Sequence, residues 1–138
     1  MAEVFANRTA LVTGAASGIG RATAVGFAAE GAKLILLDVN REGLEETLSQ
    51  AGGEGAIVCT DLSDPEVAAD TARAAIAAAS GIDYLCNIAG ITLDDDTVLN
   101  AEAERWFKVI AINLVAPALL MRVAAEDMIA RGTSGRIV

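Results

Sequence analysis

Apolar residues fall along this chain in two kinds of run. The short kind is continuous: TALVT (9–13), KLILLD (33–38), AIVCT (56–60), IDYLCN (82–87) and the closing GRIV (135–138). Runs this short and this apolar are what strands covered on both faces require. The long kind is periodic. Ala24, Phe27, Ala28 and Gly31 follow i, i+3, i+4, i+7 spacing. That predicts a helix from about 18 to 30 with Gly31 as its C-cap. Asn40 stands where it can cap a second helix, whose Leu44, Leu48 and Ala51 share one face before Gly52, Gly53 and Gly55 break it. Ser63 and Glu66 make an S-x-x-E capping box with Pro65 in the first turn, opening a third helix that runs to about Ser80. A long helix follows over roughly 101–131, stopped by Gly132.

Strand and helix therefore alternate, joined by short connections. This order predicts an α/β domain, a parallel sheet between two helical layers. Right-handed crossovers make the sheet doubly wound, with strand order 3-2-1-4-5 and a single domain over 1–138. GRIV supplies only four residues to the fifth strand, so the fold is expected to be truncated there, with apolar surface and an open edge.

Composition narrows the picture. A chain of 138 residues suits one domain and buries roughly two thirds of its extended surface. Apolar residues make up 54% and aromatics only 4%, so the core should be aliphatic. The net charge of −9 argues against nucleic acid or an anionic membrane as partner. There is no histidine, which excludes Ser-His-Asp catalysis and HExxH zinc chemistry. Cys59 and Cys86 form no CxxC pair and fall on strands that are not neighbours in the expected order, so no disulfide is expected. With Glu3 near the start and no long apolar segment there, the reading is a reduced, cytoplasmic chain without a signal peptide. The stretch 109–121 is too short to span a bilayer and contains Asn113 and Pro117. Asp94–Asp96 read as a solvated loop rather than a metal site, and no metal is expected.

The chemistry-bearing stretch is TGAASGIG (13–20). A turn between the first strand and first helix of a parallel sheet presents unpaired N–H groups and the positive end of a helix dipole. A phosphate fits there if no Cβ atoms intervene. Gly14 takes the tight turn, Gly18 allows close approach, Gly20 lets helix pack on strand, and Ser17 and Ile19 line the same edge. The spacing is not that of a P-loop, since Arg21 and Ala22 stand where Lys and Ser/Thr would follow. Asp38 closes the second strand, placed to accept hydrogen bonds from an adenosine ribose and to repel a 2′-phosphate. No basic residue occupies 15–17 or 39–40, although Arg41 is near. NAD is favoured over NADP.

TGAASGIG, Asp61-Leu62, NIAG (87–90) and Asn113, in this order along the whole chain, resemble the short-chain dehydrogenase/reductase family. The resemblance implies a Rossmann-type fold and an NAD-dependent oxidoreductase that interconverts alcohols with ketones or aldehydes. It implies that the glycine turn holds the pyrophosphate and that Asp61, with Leu62, contacts the adenine. The segment Asn87, Ala89 and Gly90 would line the cofactor and steady the sheet. Ile88 departs from the usual NNAG. Asn113, within the apolar IAINLVAP, reads either as a satisfied structural amide or, by resemblance, as support for a proton path. A buried amide there must find partners.

The same resemblance assigns proton transfer to a Ser, a Tyr and a Lys four residues after the Tyr. Tyr84 is the only tyrosine and is followed at that spacing by Ile88; the lysines are Lys33 and Lys108. The 138 residues are therefore expected to bind cofactor without turning over substrate. Association through the 101–131 helix, with Trp106, Phe107, Leu114, Leu119, Leu120 and Met121, or through the open edge, is expected to give a homo-oligomer. Two other readings use a similar sheet: a non-catalytic NAD-binding or assembly module, and a methyltransferase.

Overall fold

The computed structural model describes residues 3–93 and 97–138. The elements run β1 (Thr9–Thr13), α1 (Gly18–Ala29), β2 (Lys33–Asp38), α2 (Arg41–Gln50), β3 (Ala56–Cys59), α3 (Pro65–Ala78) and β4 (Tyr84–Cys86). Then come α4 (Ala103–Ile110), a π-helical segment (Ala111–Val115), α5 (Ala116–Arg131) and β5 (Arg136–Ile137). The strands form one parallel sheet in the order β3-β2-β1-β4-β5, as the alternating pattern predicts.

Side chains alternate across each strand, so neighbours in sequence feed opposite cores. Leu11, Ile35, Leu37 and Leu85 pack with Ala68, Ala72 and Ile76 of α3 and Leu120 and Val123 of α5. Val12, Leu34, Leu36 and Cys86 face the other way, onto Ala24 of α1 and Leu44 of α2. Each fully buried aliphatic side chain contributes about 1.5–3 kcal/mol, and β1 and β2 carry most of them. This two-sided burial fixes β1 at the centre and brings the carboxyl ends of all strands to one edge.

Three local expectations are corrected. The cap of α3 is Asp64, whose carboxylate accepts from the Val67 N–H, with Pro65 as the first helical residue. Ser63 is drawn instead to Asp61, to which its N–H donates at 2.8 Å. The long helix is not uniformly α-helical, because the five residues before Ala116 widen into a π turn. Pro117 explains the position: its ring would crowd the Asn113 carbonyl four residues earlier, and a widened turn gives room. Leu120 is buried in the core and Leu119 packs against it, so neither belongs to the outer face of this helix.

That outer face does carry Trp106, Phe107, Leu114 and Met121, all exposed. By length and composition, Ala103–Arg131 is apolar enough to cross a membrane, against the reading of the 109–121 stretch. Ala116, Leu120, Val123, Ala124 and Met128 nonetheless spend their apolar surface on the sheet core.

The corrected cap has a measurable consequence. Asp64→Ala should lower unfolding free energy by roughly 1 kcal/mol in urea denaturation. Ser63→Ala, at the position the motif nominates, should cost less than half of that.

Candidate functional site

A cleft of about 350 Å3 opens at the carboxyl edge of the strands. Its wall is built by five separate segments: Gly14 and Ser17–Gly20 from the β1–α1 turn, Asp38 and Val39 after β2, 60–62 after β3, 88–91 after β4, and Ile112 of the π segment. The fold thus gathers Gly14, Ser17, Gly18, Ile19, Gly20, Asp38, Asp61, Leu62, Ala89 and Gly90 into one place. Asn87 and Asn113 do not line this cleft.

The turn uses its glycines in three ways. Gly14 has φ +65°, and a Cβ built there would sit 2.9 Å from both the Cα and the N of Ala89. Gly18 has φ +53°, and a Cβ there would meet no protein atom within 4 Å. It faces open space, as close approach by a ligand requires. A Cβ on Gly20 would run into the Gly14 carbonyl. Gly20 therefore lets the helix fold back on its own turn, rather than on the strand as expected from sequence. The first amides of α1 have no carbonyl one turn earlier to bond, and Ser17 makes no side-chain cap, so donors remain for an anion.

Asp38 is anchored by two backbone amides. Ala16 N donates to Oδ2 at 3.2 Å and Asn40 N to Oδ1 at 3.0 Å. These bonds fix the carboxylate beside the turn and leave lone pairs for hydroxyl donors. Arg41 lies outside the cleft wall, 4.0 Å from Glu45 one helical turn on. Across the cleft, the backbone N–H and then the hydroxyl of Ser63 hold the Asp61 carboxyl below the usual carboxylate range, with the Lys108 charge adding a smaller pull.

The Asn87–Gly90 segment is held mainly through its backbone. Thr13 Oγ1, 1% exposed as a residue, accepts from Ile88 N at 3.0 Å and Ala89 N at 3.1 Å. The Asn87 N–H donates to Val138 O at 2.8 Å, tying β4 to the last strand. Asn87 Oδ1 is buried and, among the described residues, has no hydrogen-bond partner. Asn113 is corrected from buried to exposed. Its amide is nevertheless satisfied from both ends: Oδ1 accepts from Ile91 N at 2.9 Å, and Nδ2 donates to Ile91 O at 2.8 Å. The π segment thereby clamps the strand end that lines the cleft.

Tyr84 points away from the cleft chemistry into an aromatic cluster, with ring centroids 5.3 Å from Phe5 and 5.5 Å from Phe27. Both cysteines are free, on strands separated by β2 and β1. Burial pushes the Cys86 thiol up from its ordinary value and so favours its protonated form. The acidic triplet Asp94–Asp96 lies outside the described residues.

Sequence reasoning missed Val39, Thr60, Ile91 and Ile112 in the wall, and Thr13 behind it. A usable signal exists for the first three. Each follows directly on a strand end or its extension, where open α/β sheets bind ligands.

The comparisons agree with this geometry. A family model described as short chain dehydrogenase matches residues 8–138. The 2,5-dichloro-2,5-cyclohexadiene-1,4-diol dehydrogenase LinX of Sphingobium indicum is 34% identical over 141 residues, covering 100% of this chain and 56% of that protein. A metagenomic short-chain oxidoreductase solved in complex with NADP is similar with a TM-score of 0.89 and 34% identity, over 96% of this chain and 60% of that one. NAD+-bound xylitol dehydrogenase gives 0.87 and 31%, over 97% of this chain and 52% of that one. The chain spans about half the length of the curated relatives it matches.

Two outcomes follow from the site. Thr13→Val orphans two amides and should cost about 1–3 kcal/mol of stability by denaturant titration, with Thr13→Ser recovering most of it. Ser63→Ala should raise the Asp61 pKa part of the way to its ordinary value in carboxyl NMR titration, since the backbone donor remains. Because the folded pKa is the lower one, the stability Asp61 contributes is present above its unfolded pKa and is lost as pH falls through the folded pKa.

Proposed function

This chain belongs to the short chain dehydrogenase family, and we propose that its cleft holds NAD as part of an oxidoreductase acting on alcohols and their ketones or aldehydes. The observation that carries the reading is the bare turn: two glycines at positive φ, one of them open to the cleft, beside a carboxylate fixed by backbone amides. The residues fit such a group. The amides at the start of α1 receive the diphosphate, and Asp38 accepts from the adenosine ribose hydroxyls. Leu62 and Val39 supply apolar surface and Asp61 a polar contact at the adenine end.

The solved relatives above hold NADP in one case and NAD+ in the other. Family membership thus supports a nicotinamide dinucleotide, and the charge of Asp38 favours the form without a 2′-phosphate. When bound, the nicotinamide supplies a hydride acceptor or donor for a carbon bearing oxygen. This chain's own residues bind and orient; Ile88, Ala89, Gly90 and Ile91 form the part of the wall that packs against Gly14 of the turn. Proton transfer to an alkoxide needs an acid near the reacting oxygen. The family's Tyr and Lys at i, i+4 have no counterpart in these 138 residues. We assign to these 138 residues the holding of the cofactor.

Fluorescence titration with NADH and NADPH tests this. The chain should bind NADH roughly tenfold or more tighter than NADPH, a gap of about 1.4 kcal/mol or more. Asp38→Ala should close the gap, and Gly18→Ala should weaken both. Loss of nicotinamide absorbance on adding simple ketones should not occur with this chain alone. A folded chain that binds neither dinucleotide, or an Asp38→Ala variant with an unchanged ratio, overturns the proposal.

A further inference from the structure

Arg21 stands one residue beyond the glycine turn, yet its guanidinium is turned back under it. Nη2 donates to the Ala16 carbonyl at 2.5 Å and to Glu46 Oε2 at 2.8 Å, and Nε donates to Thr47 Oγ1 at 3.0 Å. Thr47 is fully buried. Its hydroxyl lies 2.7 Å from the Ala15 carbonyl and 2.9 Å from the Gly43 carbonyl. A threonine in a helix ordinarily bonds back to the carbonyl four residues earlier. Here the single hydroxyl proton has a closer acceptor in the turn. Gly43 permits the approach: a Cβ there would sit 2.7 Å from Ala16 Cβ and 2.8 Å from Ala16 O.

In a trans peptide the C=O of one residue and the N–H of the next point in opposite directions. Holding Ala15 O toward α2 aims the Ala16 N–H away from it, and that N–H donates to Asp38 Oδ2. Holding Ala16 O in the same way aims the Ser17 N–H away from α2, and Ser17 lines the cleft. We propose that Arg21 and Thr47 are a positioning pair, which pins two turn carbonyls to α2 and thereby presents the turn's amides to a diphosphate and its neighbour amide to Asp38. Arg21 is not itself the phosphate ligand. Its Nη2 and Nε are occupied by the turn and α2, and Glu46 neutralises it.

This inference rests on the dinucleotide reading, and the test separates the two. Wild type, Thr47→Val, Thr47→Ser, Arg21→Met, Arg21→Lys and Glu46→Gln are compared by melting temperature. Affinity is measured by titration with NADH, ADP and adenosine, the last lacking phosphate. Thr47→Val and Arg21→Met should bind NADH and ADP roughly tenfold or more weakly, while adenosine, which feels the pair only through the Ala16–Asp38 bond, loses clearly less. Thr47→Ser, which keeps the hydroxyl, and Glu46→Gln, which keeps both turn bonds, should bind within about twofold of wild type. The Ser17 amide signal, followed by NMR during ADP addition, should shift in wild type and little in Arg21→Met. Folded variants that bind ADP as wild type does overturn the pair alone. Equal losses for ADP and adenosine also overturn it, since they mark general loosening. Should Thr47→Val not fold, Arg21→Lys decides: it keeps the charge but not the forked reach, and should lose affinity for ADP. A wild-type chain that binds neither NADH nor ADP overturns the dinucleotide reading and the pair together.

Discussion

Backbone lying on backbone at the first turn is the constraint that everything at the carboxyl edge obeys. Where a Cβ on Gly14 would stand, the Cα and N of Ala89 are already 2.9 Å away. The loop after β4 therefore passes directly against the exit of β1, with no side chain of Gly14 between them. Thr13 seals the contact, since its buried hydroxyl oxygen accepts from the Ile88 and Ala89 amides. Replacing either neighbour by a larger residue would push two strand ends apart at the point where the cleft begins.

The rest of the site is layered onto that contact. Gly20 brings α1 back over the Gly14 carbonyl, and Gly43 brings α2 under Ala16. Each close approach is possible because a side chain is missing. Polar groups then lock the surrounding elements to the turn: Thr13 for the loop after β4, Asp38 for β2, Thr47 and Arg21 for α2. The π segment adds a fifth clasp through Asn113 and the Ile91 peptide. A cleft assembled this way has turn peptides tied on several sides, as an anion held by amides requires, and Gly18 leaves space for its approach.

Which parts of this were legible in the sequence follows from what each part depends on. The strands were plain because parallel strands buried on both faces must be apolar runs, and the sheet order followed from crossover handedness and the family pattern. The glycines were plain as a group, but the partner of each was not. Gly20 reads equally well as facing a strand or its own turn, since both need the same missing Cβ. The cap of α3 was misread because Ser63 and Asp64 are both competent caps, and only the bond from Ser63 to Asp61 decides between them. Asn113 was misjudged because apolar neighbours suggest burial, whereas the π turn moves it to the surface while keeping it bonded. Thr47 and Arg21 were invisible as a pair, because sequence alone does not place α2 beneath the turn.

The charge balance then shows what kind of binding such a site performs. The chain carries a net charge of −9, and among the described residues the cleft wall contains Asp38 and Asp61 but no Lys or Arg. An anion arriving here gains nothing from the protein's overall field, which is repulsive and is screened by salt beyond a Debye length. Affinity must come at short range, from N–H dipoles held in place before the ligand arrives. Dipoles fall off faster with distance than charges, so a small rotation of a turn peptide matters more than a distant lysine would. Buried Thr47 and half-buried Arg21, which hold the Ala15 and Ala16 carbonyls, bear on such a rotation directly. Asp38 is the one carboxylate at the turn, and two backbone amides hold it there, each a short-range dipole set against its charge.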